Sequence, residues 1–198
     1  MLGGTFDPPH LGHLVLAAAA RRALNLDRVW FLPAGDPWRK GGSALSAAAD
    51  RLRMVQAAVD PSGWASVSSV EVERAGPSYS ADTMEEFASD GGEWWLILGQ
   101  DALADLPYWH DPPRLIASAR LALAHRAPQP ADVPDAVRQA APGIEPRIDA
   151  VTMPELRISS TDLRDRVRLG RSTEVLMPLA VRRLIDELGL YRDQARAR

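Results

Sequence analysis

Apolar positions along the chain fall into two rhythms. Short runs at 28–32, 67–72, 94–98 and 121–124 are apolar throughout or alternating, mostly end in turn residues, and predict strands. Between them, 14–24, 46–59 and 81–89 repeat apolar residues at spacings of three and four among helix formers, and predict helices. Strand alternating with helix predicts an α/β domain, an open and mostly parallel sheet with helices on both faces. The rhythm changes at 127–146, a stretch rich in proline and alanine that predicts a surface excursion with one short helix at 133–140. An extended piece follows at 150–158, and the end is helical, with Pro178 at the first helical position and Gly189 just past the last turn. The expected organisation is one domain over 1–198, with a sheet core at 1–158 and a helical part at 159–198.

Composition restricts what such a domain can do. Its 198 residues suffice to bury a core, and the absence of cysteine excludes disulfides and thiolate zinc sites. With 23 Lys and Arg against 26 Asp and Glu the net charge is −3, which argues against generic attraction to nucleic acid or anionic lipid. An anionic substrate therefore needs local cations. The longest apolar runs, at 14–20 and 94–98, fall short of the ~20 residues that cross a bilayer, and no secretory pattern follows Met1. The expectation is a cytoplasmic protein with neither a membrane nor a nucleic-acid partner.

The segment Gly3-Gly4-Thr5-Phe6-Asp7-Pro8-Pro9-His10-Leu11-Gly12-His13 joins a glycine turn to the start of an apolar helical run. Glycine lets backbone approach a ligand, and the uncapped N–H groups and dipole of a helix N-terminus favour an anion. His10 and His13 are three apart, so in a first helical turn both rings share one face and point at one ligand. Further on, Ile158-Ser159-Ser160-Thr161-Asp162-Leu163-Arg164 closes an extended stretch and opens a helix with a cap-type hydroxyl, Arg164 lying four residues after Ser160. Alone, the first segment also reads as a loop with capping histidines, and the second as an ordinary helix cap.

Together the two resemble the GxFDxxHxGH and ISSTxxR signatures of the nucleotidyltransferase superfamily, whose fold is Rossmann-like. The resemblance implies that Gly4, Thr5, Phe6, His10, His13, Ile158, Ser159, Ser160, Thr161 and Arg164 bind ATP, with His10, His13 and Arg164 also catalytic. Within the superfamily, the middle of the chain is similar to the bacterial nicotinate-mononucleotide adenylyltransferases. The run from Arg74 to Thr83 looks like the segment before the helix that lines their pyridine pocket, and Thr83 matches their contact to the nicotinate carboxylate. Gly99 and Asp101 follow a predicted strand, where open α/β sheets bind ligands, and match the family's nucleotide contacts, Asp101 to both substrates.

Trp109, in Leu106-Pro107-Tyr108-Trp109-His110, occupies the position where the family stacks an indole on the nicotinate ring; core packing is its alternative. His110 stands where Tyr is commoner, and because the family uses that residue through its backbone N–H, specificity need not change. Lys40, in the loop after the second strand, matches a catalytic lysine that faces the triphosphate, and Arg126 matches an arginine on the nicotinate-mononucleotide side. Their alternatives are a solvated loop lysine and a surface ion pair. Gly189-Leu190-Tyr191 matches the family's closing tripeptide, so the likeness spans nearly the entire chain.

The resemblance implies attack of a nucleotide 5′-phosphate on the α-phosphorus of ATP, with ATP and nicotinate mononucleotide as partners and Mg²⁺ carried mainly by the ATP phosphates, no protein metal cage being expected. Homo-oligomerisation stays open. Two rivals also stand: a pantetheine-phosphate adenylyltransferase or glycerol-phosphate cytidylyltransferase, against which Trp109 and 78–83 speak, and a nucleotide sensor without turnover, against which His10, His13 and Arg164 speak. Only Met1 and Leu2 precede Gly3, where the family has a central strand, so a stub or gap is expected in the sheet and a native start several residues upstream.

Overall fold

The computed structural model describes residues 1–37, 45–125 and 132–192. The chain runs through β1 (Leu2–Gly4), α1 (Leu11–Ala23), β2 (Val29–Pro33), α2 (Ala48–Val59), β3 (Ala65–Val67), α3 (Val70–Glu73) and α4 (Ser80–Ala88). It continues through β4 (Trp95–Gly99), α5 (Gln100–Ala104), α6 (Pro112–Ser118), β5 (Arg120–His125), α7 (Asp135–Ala140), β6 (Ile148–Thr152), α8 (Ser160–Arg168) and α9 (Leu179–Glu187). Every described strand pair is parallel, in two ladders ordered β1-β2-β3 and β4-β5-β6. Met1 joins the ladders: its carbonyl accepts from Ile97 N–H at 2.8 Å, and its amino group donates to the Trp95 carbonyl. The sheet thus reads β3-β2-β1-β4-β5-β6, and the first strand is the expected stub.

Both faces of the sheet are buried, which is why the strands read as apolar runs. Leu96, Leu98, Leu121 and Leu123 pack with Met84, Leu106 and Leu115 on one face. Ile97, Ala122 and Val151 pack with Leu2, Phe31 and Ala17 on the other. A third cluster, Met54, Ala58, Leu163, Met177, Val181 and Ile185, fastens α8 and α9 to α2. Burying each of the larger of these side chains contributes roughly 1.5–3 kcal/mol before chain entropy is counted.

Three expectations need correction. The strand expected at 67–72 ends at Val67, and Val70–Glu73 is a helical turn. Ser68 and Ser69 cause the change: Ser68 Oγ accepts from Val70 N–H at 3.3 Å, and the Ser69 carbonyl accepts from Val72 and Glu73. The stretch 127–146, where described, does not stay on the surface, because Val133, Val137, Ala141 and Ile144 are buried in the first cluster. Its proline content obscured an apolar spacing of three and four. Pro178 caps α9 from an extended conformation instead of opening it, while Gly189, at φ 63°, ends that helix as expected.

Candidate active site at the carboxyl ends of the strands

His10 is not in the first turn of α1. It is the N-cap residue, extended at φ −147° and ψ 172°, and its main-chain N–H donates to Nδ1 of His13 at 3.1 Å. That bond makes His13 Nδ1 an acceptor, so in the neutral ring the proton sits on Nε2. The two rings stack at 3.7 Å and 24°, so the shared face expected from the spacing is present. Burial holds His10 neutral by lowering its pKa to about 4, and its Nδ1 finds no hydrogen-bond partner among the described residues. Phe6 sets an edge against His13 at 4.9 Å. Gly12 leaves room for this packing, since a Cβ there would stand 3.0 Å from the His10 ring.

The start of α8 lies against the same turn. Ser160 Oγ donates to the Pro8 carbonyl at 2.8 Å, and Arg164 Nη1 to the Asp7 carbonyl at 2.8 Å, with Nη2 on Thr161 Oγ1 at 3.3 Å. Ser159 caps the helix by accepting from Asp162 N–H at 3.1 Å, and Ile158 packs half-buried on the third cluster. The two motifs, separated by about 150 residues of sequence, therefore form one structure. Asp7 is its hub, with a buried carboxylate that accepts from Tyr191 OH and, at 3.3 Å, from Ser46 N–H. Burial, and then the bond to Asp7, hold the Tyr191 phenol well above its usual range.

A cleft of about 560 Å³ opens at the carboxyl ends of β4, β5 and β6, bounded by Leu16 of α1 and lined by Gly99, Asp101, Ala124, His125 and Met153 among others. Gly99 closes β4 and caps α5, which puts Asp101 in the first, exposed turn of that helix. Both residues thus stand where the sequence reading set them.

The pyridine-side residues are differently disposed. Thr83 is buried, its hydroxyl donates to Glu71 Oε1 at 2.9 Å and accepts from Arg74 Nη1 at 2.8 Å, and its N–H donates to the Tyr79 carbonyl at 3.2 Å. Its hydroxyl and N–H are thus engaged within the protein. Burial raises the Glu71 pKa, partly offset by the bond from Thr83 and the nearby Arg74. Trp109 is half-buried against the first cluster, so packing accounts for part of its surface. His110 is exposed and stacks on Tyr79 at 4.2 Å and 21°. Lys40 and Arg126 lie outside the described residues.

Sequence reasoning passed over Arg51, which is 1% exposed and binds main-chain carbonyls at the ends of β1 and β2. The signal was present: an arginine sharing a helical face with Met54, Val55 and Ala58. Among the described residues, no group of three His, Cys, Asp or Glu is placed to hold a metal, and no helix is long and apolar enough to cross a membrane.

A family profile described as cytidylyltransferase-like matches residues 1–166. A probable nicotinate-nucleotide adenylyltransferase of Roseiflexus sp. (strain RS-1) is 43% identical, over 97% of this chain and 96% of its own. A protein of the same description from Dehalococcoides mccartyi (strain ATCC BAA-2266 / KCTC 15142 / 195) is 38% identical, over 98% and 97%. The fold is also that of the Plasmodium falciparum nicotinic acid mononucleotide adenylyltransferase complexed with NaAD, at a TM-score of 0.71 and 17% identity over 96% of this chain and 95% of that one.

Proposed function

The chain belongs to the cytidylyltransferase-like family, among its nicotinate-nucleotide adenylyltransferases, and from that premise we propose how its residues make deamido-NAD and pyrophosphate from nicotinate mononucleotide and ATP. The observation that carries the reading is the stacked His10 and His13 pair at the start of α1, with the start of α8 against the same turn. A 5′-phosphate oxygen of the mononucleotide forms a bond to the α-phosphorus of ATP. The bond from that phosphorus to the bridging α,β-oxygen breaks, and pyrophosphate leaves with the electron pair. The attacking oxygen is ionised at pH 7, so no general base is required, and the protein's work is alignment and neutralisation of developing charge.

His13 donates from Nε2 to an α-phosphoryl oxygen, and neutral His10, stacked on it, holds the ring at that angle. At the start of α1 the N–H groups of His10, Leu11 and His13 are taken by His13 Nδ1 and the Leu176 and His10 carbonyls. The dipoles of α1 and α8 therefore favour the phosphates more than open N–H groups do, and Arg164 fixes the turn through Asp7 while adding positive charge. Lys40 adds a further cation on the triphosphate. The donor set fits a Mg²⁺ that arrives on the ATP phosphates, since the Asp7 carboxylate is already engaged by Tyr191 and Ser46. Such an ion would neutralise phosphate charge during transfer. Trp109 and the backbone near His110 receive the pyridine ring, and Arg126 the mononucleotide. The reaction belongs in the cytoplasm, in keeping with a chain free of cysteine.

A substrate panel tests this. With ATP, pyrophosphate should be released fastest with nicotinate mononucleotide, more slowly with its amide, and at background with phosphopantetheine or glycerol phosphate. Equal or faster release with either of the last two overturns the assignment.

A further inference from the structure

Arg51 sits one turn into α2, buried, with a guanidinium that makes four hydrogen bonds, each to a main-chain carbonyl. Nε donates to Ser46 at 3.0 Å, Nη1 to Ala34 at 2.6 Å and to Thr5 at 3.0 Å, and Nη2 to Gly35 at 3.0 Å. These acceptors come from three segments: the turn after β1, the loop after β2, and the chain entering α2. Asp7, whose charge acts on Arg51, gives its own oxygens to Tyr191 and Ser46. Burying a cation among neutral carbonyls costs more than filling the space with an aliphatic side chain. What the guanidinium supplies is a rigid planar fork, and that fork sets the spacing of the segments it bonds.

The bonding continues beyond Arg51. Gly35 gives its carbonyl to Arg51 and its N–H to Ser78 Oγ at 3.0 Å, and Asp36 N–H reaches the same hydroxyl at 3.3 Å. Ser78 N–H returns to the Asp36 carbonyl at 3.0 Å. Gly35 also presses on α3, where an added Cβ would lie 2.0 Å from the Glu71 carbonyl. Ser78 leads directly into Tyr79 and α4. A line of bonds therefore joins Thr5, in the phosphate-binding turn, through Arg51 and Gly35 to the start of α4.

We infer that Arg51 is a positioning residue, which holds the ATP-binding turn in register with the segment on the pyridine side without touching either substrate. This rests on the proposed reaction, where the attacking phosphate oxygen and the α-phosphorus come from opposite sides of that register. A misplacement of about 1 Å there can cost about 10²-fold in rate.

The test uses the full chain with Arg51→Met, which keeps bulk and removes the fork, and Arg51→Lys, which keeps the charge but bonds from a single point. Each is assayed for pyrophosphate release and titrated calorimetrically with a non-hydrolysable ATP analogue. Arg51→Met should keep parent stoichiometry and KM values within about 3-fold, with kcat down about 10²-fold, and Arg51→Lys should fall between it and the parent. Parent-like turnover per binding site in Arg51→Lys, or in a folded Arg51→Met, overturns the inference, and so does lost activity matched by lost binding sites. If the parent itself releases no pyrophosphate, the functional reading has failed instead. Amide exchange at Gly35 and Asp36 in Arg51→Lys then decides alone: faster than parent upholds the register, and unchanged overturns it.

Discussion

The turn after β1 and the start of α4 both carry sequence motifs, yet their polar atoms are spent differently. Around the turn, Arg51, Arg164 and Ser160 direct their donors at main-chain carbonyls, and the backbone of the motif is what they hold. The histidine rings of that motif remain stacked over the helix start, one of them with its tautomer fixed by a main-chain bond. Around α4 the motif side chains consume one another: Thr83 is bonded to Glu71 and Arg74, and Tyr79 is stacked on His110. A residue type at a motif position can thus be spent on holding the fold, and the bonds its polar atoms make in the folded chain reveal it. In the proposed reading the phosphate side offers stacked imidazoles and two helix starts, whereas the pyridine side offers ring faces and backbone more than hydroxyls.

That contrast can be broken at several points. The largest effect is expected for His13→Ala, whose kcat should fall by about 10²-fold or more as a preorganised donor is lost. Its unfolding midpoint should move by only a few degrees, since one neutral hydrogen bond is removed. A large drop in the midpoint would instead make His13 structural. Trp109→Ala should weaken the pyridine mononucleotide by about 1–3 kcal/mol and leave ATP nearly unchanged, as read from the two KM values. Equal weakening of both substrates, or of neither, would assign Trp109 wholly to the core.

Thr83→Val sharpens the comparison in the other direction. Removing the hydroxyl leaves the buried Glu71 short of a donor and should lower stability by about 1–3 kcal/mol in denaturant unfolding, while the mononucleotide KM changes by less than about 3-fold. A raised KM at unchanged stability would instead support the direct carboxylate contact. The smallest effect concerns His10. Its folded pKa of about 4 lies below the unfolded value of about 6.5, so below pH 6.5 the unfolded chain binds more protons. The contribution is full above the unfolded pKa and is lost as pH falls from about 6.5 toward 4, less than about 1 kcal/mol of it between pH 7 and 6. His10→Gln should flatten that part of the stability profile, and an unchanged slope would show that His10 titrates normally.

The phosphate side was legible because its chemistry lies in two contiguous segments, each a glycine or hydroxyl turn into a helix. Even there the placement of His10 was one step off, since the bond from its own N–H to His13 makes it the cap and not the first turn. The sheet was legible for the same local reason: a strand buried on both faces is apolar throughout, and β4 and β5 appeared within a residue or so of their ends. Elements that depend on tertiary partners were not. The serines at 68 and 69 turn the chain after β3, the inward face of 133–144 is masked by proline, and α5 and α6 are short enough to hide among turn residues. Arg51 and Tyr191 act on main chain or carboxylate from distant sequence, so the helical face of the one and the closing tripeptide of the other mark their positions without revealing their partners.

The most direct measurement of the central claim is product analysis on the purified chain with equimolar ATP and nicotinate mononucleotide. The proposed reaction predicts deamido-NAD and pyrophosphate accumulating one for one, with neither formed when the mononucleotide is omitted. Pyrophosphate released at the same rate without the mononucleotide, or consumption of ATP with no dinucleotide formed, would contradict it.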